Sequence, residues 1–312
     1  MADIRKVATR QSYGEALVEL GAAHDDFVVL DADLAVATQT GKFKAAYSDR
    51  FIDVGIAEQN LMGVAAGIAT TGRKVFASTF AMFAAGRAFE QVRNSIGYPH
   101  LHVVIGATHA GMSVGEDGAT HQCNEDLALM RAIPGMTVIV PADDVEAKAA
   151  VRAAYEAEGP VYVRLGRLPV PVIHKDDYHF ELGRGVVERE GSDVTVIACG
   201  LEVPAALEAA KTLADKGVSC EVINMATIKP LDGDLIVASA RKTGRVITVE
   251  EHSVIGGLGS AVCDLLCEAC PTPVKKIGVN DVFGESGPAL DLLAKYGLDG
   301  AGVAEAIEGF VR

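Results

Sequence analysis

Three short segments hold most of the residues able to do chemistry. The first is Phe51-Ile52-Asp53-Val54-Gly55-Ile56-Ala57-Glu58-Gln59-Asn60, followed by the small, apolar run LMGVAAGIA. Glu58 falls in the first turn of the helix this run predicts. A carboxylate there is favoured by the helix dipole alone. Equally, a partly buried carboxylate of raised pKa could share a proton with a ligand nitrogen. The second segment, Ser78-Thr79-Phe80-Ala81-Met82-Phe83, spaces two rings three apart, so one helical turn shows both on one side. They are either ordinary core or a platform for a planar heterocycle.

The third segment, Ala107-Thr108-His109-Ala110-Gly111-Met112-Ser113-Val114-Gly115-Glu116-Asp117-Gly118-Ala119-Thr120-His121-Gln122, follows an apolar run directly. It therefore lies at the carboxyl end of a strand, where open α/β sheets bind ligands. His109, Asp117 and His121 on a glycine-rich loop can donate to and accept from a polyhydroxylated substrate. Their spacing matches no standard zinc pattern, and a metal site is not expected.

The elements around these segments alternate. Strands are expected at 27–32, 75–78, 101–106, 136–140 and 161–165, with helices at 12–23, 57–71, 84–96 and 145–157. Near-continuous apolar strands separated by helices predict a parallel sheet covered on both faces. From Leu168 to Glu190 the pattern becomes charged and proline-bearing, which reads as a linker with a short hairpin around Phe180–Val187. A second βα series follows, with strands near 194–199, 219–224, 245–249 and 274–277. The fold class is α/β in two domains, each a mostly parallel sheet with helices on both faces: residues 1–170, a linker at 171–190, and 191–312.

The 312 residues are 49% hydrophobic, with 33 Gly and no Trp, the make-up of a globular chain long enough for two cores. A net charge of −14 argues against nucleic-acid or anionic-membrane binding. The first seventeen residues lack the apolar stretch of a signal peptide, and no run is long enough to span a bilayer, so a cytoplasmic protein is expected. The trio Cys263, Cys267 and Cys270 has a spacing that could hold an iron–sulfur cluster. It continues an apolar helical pattern, however, and is read as packing cysteine. The run Gly256-Gly257-Leu258-Gly259-Ser260 is too incomplete for a nucleotide fingerprint and is read as close helix–strand packing.

Taken in order, these segments resemble the transketolase family. Thr79-Phe80-x-x-Phe83 comes first, then Thr108-His109 through Val114-Gly115-Glu116-Asp117-Gly118-x-Thr120-His121-Gln122, then Arg131-x-Ile133-Pro134 and Val140-Pro141-Ala142-Asp143. Gly55-Ile56-Ala57-Glu58-Gln59-Asn60 stands where the family has its glutamate motif. Ala8-Thr9-Arg10 and Asp31-Ala32-Asp33-Leu34 match the start of the pyrimidine-binding domain. Glu251-His252 and Phe283-Gly284-Glu285-Ser286-Gly287 extend the likeness towards the end.

The resemblance implies thiamine diphosphate as cofactor and transfer of a two-carbon ketol unit between sugar phosphates. Glu58 would hydrogen-bond the ring nitrogen N1′ of the aminopyrimidine and so promote deprotonation of the thiazolium C2. Phe83, with Phe80 beside it, would stack on that ring, and Asp33 would lie on the cofactor side. His109, Asp117 and His121 would bind the sugar, with His109 and His121 also acting in catalysis. Arg10 and Arg164 would clamp its phosphate, where a planar guanidinium suits an oxyanion, and Thr38 would replace a serine of the family. Gly86 stands where the family has a third aromatic, for which Phe89 is a possible substitute.

Whole transketolases precede this region with a domain whose Gly-Asp-Gly…Asn motif holds Mg2+ and the diphosphate. No such motif is seen here, so the resemblance implies an N-terminal partner subunit that carries it, in a heterotetramer. Two readings stay open beside this one. The first is a subunit like deoxyxylulose-phosphate synthase or the 2-oxoacid dehydrogenase β-chain, relatives that typically lack His109. The second is a non-catalytic partner subunit of the same fold.

Overall fold

The computed structural model describes residues 5–312; the four residues with which the first domain begins by sequence lie outside it. Seven strands form the first sheet, in the order β12-β6-β7-β5-β4-β2-β3. They are β2 (Phe27–Asp31), β3 (Phe51–Asp53), β4 (Lys74–Phe80), β5 (Val103–Thr108), β6 (Thr137–Ile139), β7 (Val161–Arg164) and β12 (Thr227–Lys229). All neighbours run parallel except β12 against β6. A second sheet of order β14-β13-β10-β11-β9 contains β9 (Val186–Arg189), β10 (Val194–Ala198), β11 (Cys220–Asn224), β13 (Val246–Ser253) and β14 (Val274–Val279). β1 (Lys6–Ala8) pairs antiparallel with β8 (Pro169–Pro171), tying the start of the first domain to its end.

Alternation along the strands feeds two faces. Phe27, Val29, Phe76 and Val104 pack with Tyr13 and Leu17 of helix Thr9–Ala23 and Val151 of helix Asp144–Glu156. Val28, Leu30, Val75 and Ile105 face Leu61 and Met62 of helix Glu58–Ala69. This second core continues through Val138 into Ile197, Ile223, Leu258 and Val262 of the following domain. Helices Asp144–Glu156, Gly233–Thr243 and Gly300–Val311 begin where an aspartate side chain accepts an orphan backbone N–H. Asp143 accepts from Glu146 N at 2.9 Å and Asp232 from Leu235 N at 3.1 Å.

Three details differ from the sequence expectations. Thr227–Lys229, placed by sequence within the second domain, completes the edge of the first sheet. Residues 180–187 form no hairpin; β9 instead pairs antiparallel with β11 at the edge of the second sheet. Of the cysteine trio, the packing reading holds for Cys270, which is partly covered and lies against the first core, while Cys267 is exposed and Cys263 only partly covered. Helix Leu258–Ala269 turns its Leu258, Val262 and Leu266 inward instead.

Candidate active site

The carboxyl ends of the parallel strands carry the chemistry. β2 ends at Asp31, β3 leads through Gly55 into Glu58, β4 ends at Phe80, and β5 ends at Thr108 beside His109. Glu58 opens its helix and is only 3% exposed. Its two carboxylate oxygens accept from Arg87 Nη1 at 3.2 and 3.1 Å. The Arg87 guanidinium also lies over the Phe83 ring, 4.7 Å from its centre. Residues Met82–Arg87 wind as a π-helix, with Ala88 N donating to Phe83 O at 3.0 Å. Such wide turns are frequent at functional sites.

The rings form one connected wall. Phe80 and Phe83 stack at 5.7 Å and 15°. His109 also stacks on Phe80, at 3.9 Å, and His121 stands edge-on to Phe83 at 5.4 Å. Arg10 reaches His109 Nε2 at 3.3 Å and is itself held by Ala37 O at 2.8 Å. Because a guanidinium can only donate, Nε2 is the accepting nitrogen. Nδ1 then carries the proton towards Thr108 Oγ1, 2.9 Å away. Burial, then the charges of Arg10, Arg167 and His121, push the His109 pKa down to about 3. The ring is neutral at working pH.

Arg10 and Arg167 line one open cavity of ≈ 580 Å³ together with Gln39, Ser113 and Leu290. Burial and the neighbouring charge of Arg167 both lower the pKa of Arg10. Two cations facing one cleft repel each other, and an anion between them relieves that cost.

Thus the fold brings Glu58, Phe80, Phe83, His109, His121 and Arg10 together, and leaves two expected residues elsewhere. Arg164 is buried: its guanidinium donates to Asp126 Oδ2, Glu251 O and Cys123 O, and cannot reach a phosphate in the cleft. Thr38 is fully buried, its hydroxyl donating to Asp31 Oδ2 at 2.7 Å, so it too is closed to a phosphate. Asp33 and Asp117 stand exposed. Asp33 sits at a left-handed turn whose N–H donates to Asp53 Oδ1, at the end of the strand leading to Glu58. Phe89 packs on the apolar core rather than joining the ring wall.

Arg87 and Arg167 are the residues that sequence reasoning missed. Arg87 lies four residues after Phe83, the spacing that returns to one helix face. Arg167 follows Gly166 beyond the end of its strand, where a side chain is free to turn into the cleft. Among the described residues, no three His, Cys, Asp or Glu side chains converge to hold a metal. No described helix is long and apolar enough to cross a membrane.

The glycine-rich loop is held from behind by the second domain. Gln122 Nε2 donates to Glu285 O at 2.9 Å, and Ser113 N donates to the buried Glu251 carboxylate. Gly111 has φ +79°, and a Cβ there would meet the Glu251 carboxyl carbon at 2.4 Å, so only glycine fits.

A mostly parallel α/β sheet with a carboxylate, stacked rings and two arginines at its carboxyl edge has the layout of an open α/β fold that binds a ligand at that edge. The comparisons give the family. Residues 5–172 match the pyrimidine-binding domain of transketolase, and residues 183–303 match the transketolase C-terminal domain. The chain belongs to the transketolase family. It is 50% identical over 301 residues to a transketolase C-terminal section of Methanocaldococcus jannaschii, covering 96% of this chain and 94% of that one. It is 42% identical to the 6-deoxy-6-sulfo-D-fructose transketolase subunit SqwH of Clostridium sp., covering 95% and 92%. A solved split-gene transketolase, described as an inactive β4 tetramer, superposes with a TM-score of 0.90 at 55% identity, covering 98% of each chain.

Proposed function

We propose that this chain is the C-terminal subunit of a split, thiamine-diphosphate-dependent transketolase that moves a two-carbon ketol unit between sugar phosphates. The observation that carries the reading is the seat between Glu58 and Phe83. There a planar, N–H-bearing group, the Arg87 guanidinium, stacks on a ring while donating to a buried carboxylate. An aminopyrimidine has that same planar shape and, once protonated at the ring nitrogen facing Glu58, the same donor chemistry, so the residues present fit it. When bound, the cofactor supplies a carbanion nucleophile and an electron sink.

The rest is the work of this chain. Glu58, shielded from water, holds the proton on the ring nitrogen it faces. Phe83 fixes the ring plane, with Phe80 behind it and Asp33 on the cofactor side. Neutral His109 offers a hydrogen-bonding edge to the sugar, His121 and Asp117 complete the hydroxyl contacts, and Arg10 with Arg167 clamps the phosphate. His109 favours this reading over a deoxyxylulose-phosphate synthase-like or 2-oxoacid dehydrogenase-like subunit.

The diphosphate and its Mg2+ would be held by an N-terminal partner subunit, in a heterotetramer with two copies of each chain. Exposed apolar residues beside the site support a partner there: Ile56 is 79% and Val36 87% exposed. The Methanocaldococcus jannaschii relative, described as a transketolase C-terminal section, supports the same reading. The sugar need not be a pentose phosphate, since one close relative is described as acting on a sulfo-sugar.

Glu58→Gln tests the proposal. Hydrogen–deuterium exchange at the thiazolium C2, followed by NMR on the complex reconstituted with the partner chain, is expected to slow by at least about a hundredfold. Unchanged exchange removes Glu58 from its role.

A further inference from the structure

We infer that Arg87 is a built-in occupant of the pyrimidine seat, a positioning residue that must release Glu58 before the cofactor ring can enter. The inference rests on the reading of Glu58 and Phe83 given above.

Arg87 makes both contacts that the seat can offer. One nitrogen bonds both oxygens of Glu58, at 3.2 and 3.1 Å, while the guanidinium plane covers the Phe83 face at 4.7 Å. A separation of 4.7 Å is contact distance for a cation on a ring. No second planar group fits between them, so the guanidinium and an incoming heterocycle exclude each other.

The electrostatics explain why an occupant is needed. Glu58 is 3% exposed, and a buried carboxylate without a partner is strongly destabilising. In the free chain Arg87 is its only cationic partner among the described residues. When a ligand donor replaces it, the carboxylate stays satisfied and nothing is orphaned.

The same residue is built to leave. Its side chain is 53% exposed, in contrast to that of Glu58, and it ends the π-helical segment, after which the backbone at Ala88 departs from helical angles (φ −101°, ψ 14°). A long, half-solvated cation loses little when it swings into water. Cofactor entry is thus an exchange of one planar donor for another. Its apparent affinity is lowered by the fraction of molecules in which Arg87 holds the seat.

The experiment is calorimetric titration of thiamine diphosphate, with Mg2+ present, into the cofactor-stripped two-chain complex. Arg87→Ala is expected to tighten binding roughly three- to tenfold, the yield of removing a half-exposed ion pair from the free state. Methylguanidinium added to the Arg87→Ala complex is expected to refill the seat and weaken binding again, where the same concentration of NaCl does not. A structural role alone would not produce that rescue. Arg87→Gln keeps the stem and loses the charge; it is expected to move affinity in the same direction, and it serves if the alanine variant folds poorly.

Binding that is unchanged or weaker in both variants overturns the inference. If Glu58→Gln still loses C2 exchange in that case, the functional reading stands without it. If no variant and not even the parent complex binds the cofactor, both fall.

Discussion

Arg164 Nε donates to Asp126 Oδ2 across 2.8 Å, with the arginine 6% and the aspartate 0% exposed. The same carboxylate oxygen accepts from Tyr162 Oη at 2.8 Å, and Arg164 Nη2 reaches across to Glu251 O of β13 at 2.9 Å. Burial alone would lower the pKa of the guanidinium, but Asp126 and Glu251 outweigh it and hold the group charged. This pair joins the first sheet to the second domain.

Arg164 and Arg167 are therefore expected to fail in opposite ways. Arg164→Ala leaves Asp126 as an uncompensated buried charge and should cost about 3–5 kcal/mol of stability, read by chemical denaturation. Arg167 pairs with Glu116 at 2.7 Å, but Glu116 is 64% exposed, so its removal should cost under about 1 kcal/mol of stability. Its loss should instead raise KM for a phosphorylated acceptor by about thirtyfold, roughly 2 kcal/mol for a charge-assisted contact, and spare the unphosphorylated sugar. A phosphate-specific KM effect from Arg164→Ala, with stability unchanged, would reverse the assignment.

His109 carries a second prediction. With its pKa pushed down to about 3, the folded ring is unprotonated where an unfolded imidazole, near 6.5, begins to take up protons. Its contribution to stability is complete above about pH 6.5 and is lost as pH falls through that value towards 3. Correspondingly, no inflection in the pH dependence of kcat/KM between 6 and 8 belongs to this ring. His109→Asn should lower the profile without moving its limbs. The direct check is the Cε1–H resonance in an NMR pH titration; a midpoint between 6 and 7 would show that the stacked, arginine-flanked position does not hold in solution.

The contrast between Arg164 and Arg167 shows what the sequence makes legible. Phe80, Phe83, His109 and His121 could be found because each lies within a contiguous motif at the carboxyl end of a strand, where the parallel sheet dictates position. Arg164 lies inside the apolar run Val161–Arg164, and side-chain alternation turns it with Tyr162 away from Val161 and Val163, into the domain junction. Arg167 lies three residues further, past the strand, and escapes that alternation. Thr38 was misplaced for a related reason: Asp31 at the end of β2 is buried and draws in the hydroxyls of Thr38 and Thr40 at 2.7 and 2.8 Å. A buried acceptor that claims nearby donors is visible only once the turn closes. The seat of β12 beside β6 was beyond reach, because three residues carry no periodicity and their partner lies some ninety residues earlier.

The region between the domains gives the last prediction. His174 Nε2 lies 2.9 Å from Glu188 Oε1, and Nδ1 lies 3.1 Å from Asp143 Oδ1. Asp143 also caps helix Asp144–Glu156 and accepts from the backbone N–H groups of Ile173 and His174 at 2.8 and 2.7 Å. Tyr178 packs tilted against the imidazole, centroids 4.0 Å apart, and donates to the buried Glu146 at 2.6 Å. Burial would depress the His174 pKa, yet Asp143 and Glu188 outweigh it and raise the group to about 10. The folded chain thus keeps a proton that an unfolded imidazole releases near 6.5. The stabilisation is whole below about pH 6.5 and is lost as pH climbs through 10. His174→Gln should therefore melt well below the parent at pH 6, and the gap should shrink steadily as pH rises to 10. Thermal melts of the two proteins at half-unit steps would decide it, since a gap of constant width across that range would mean that His174 acts by packing alone and not as a charged clasp.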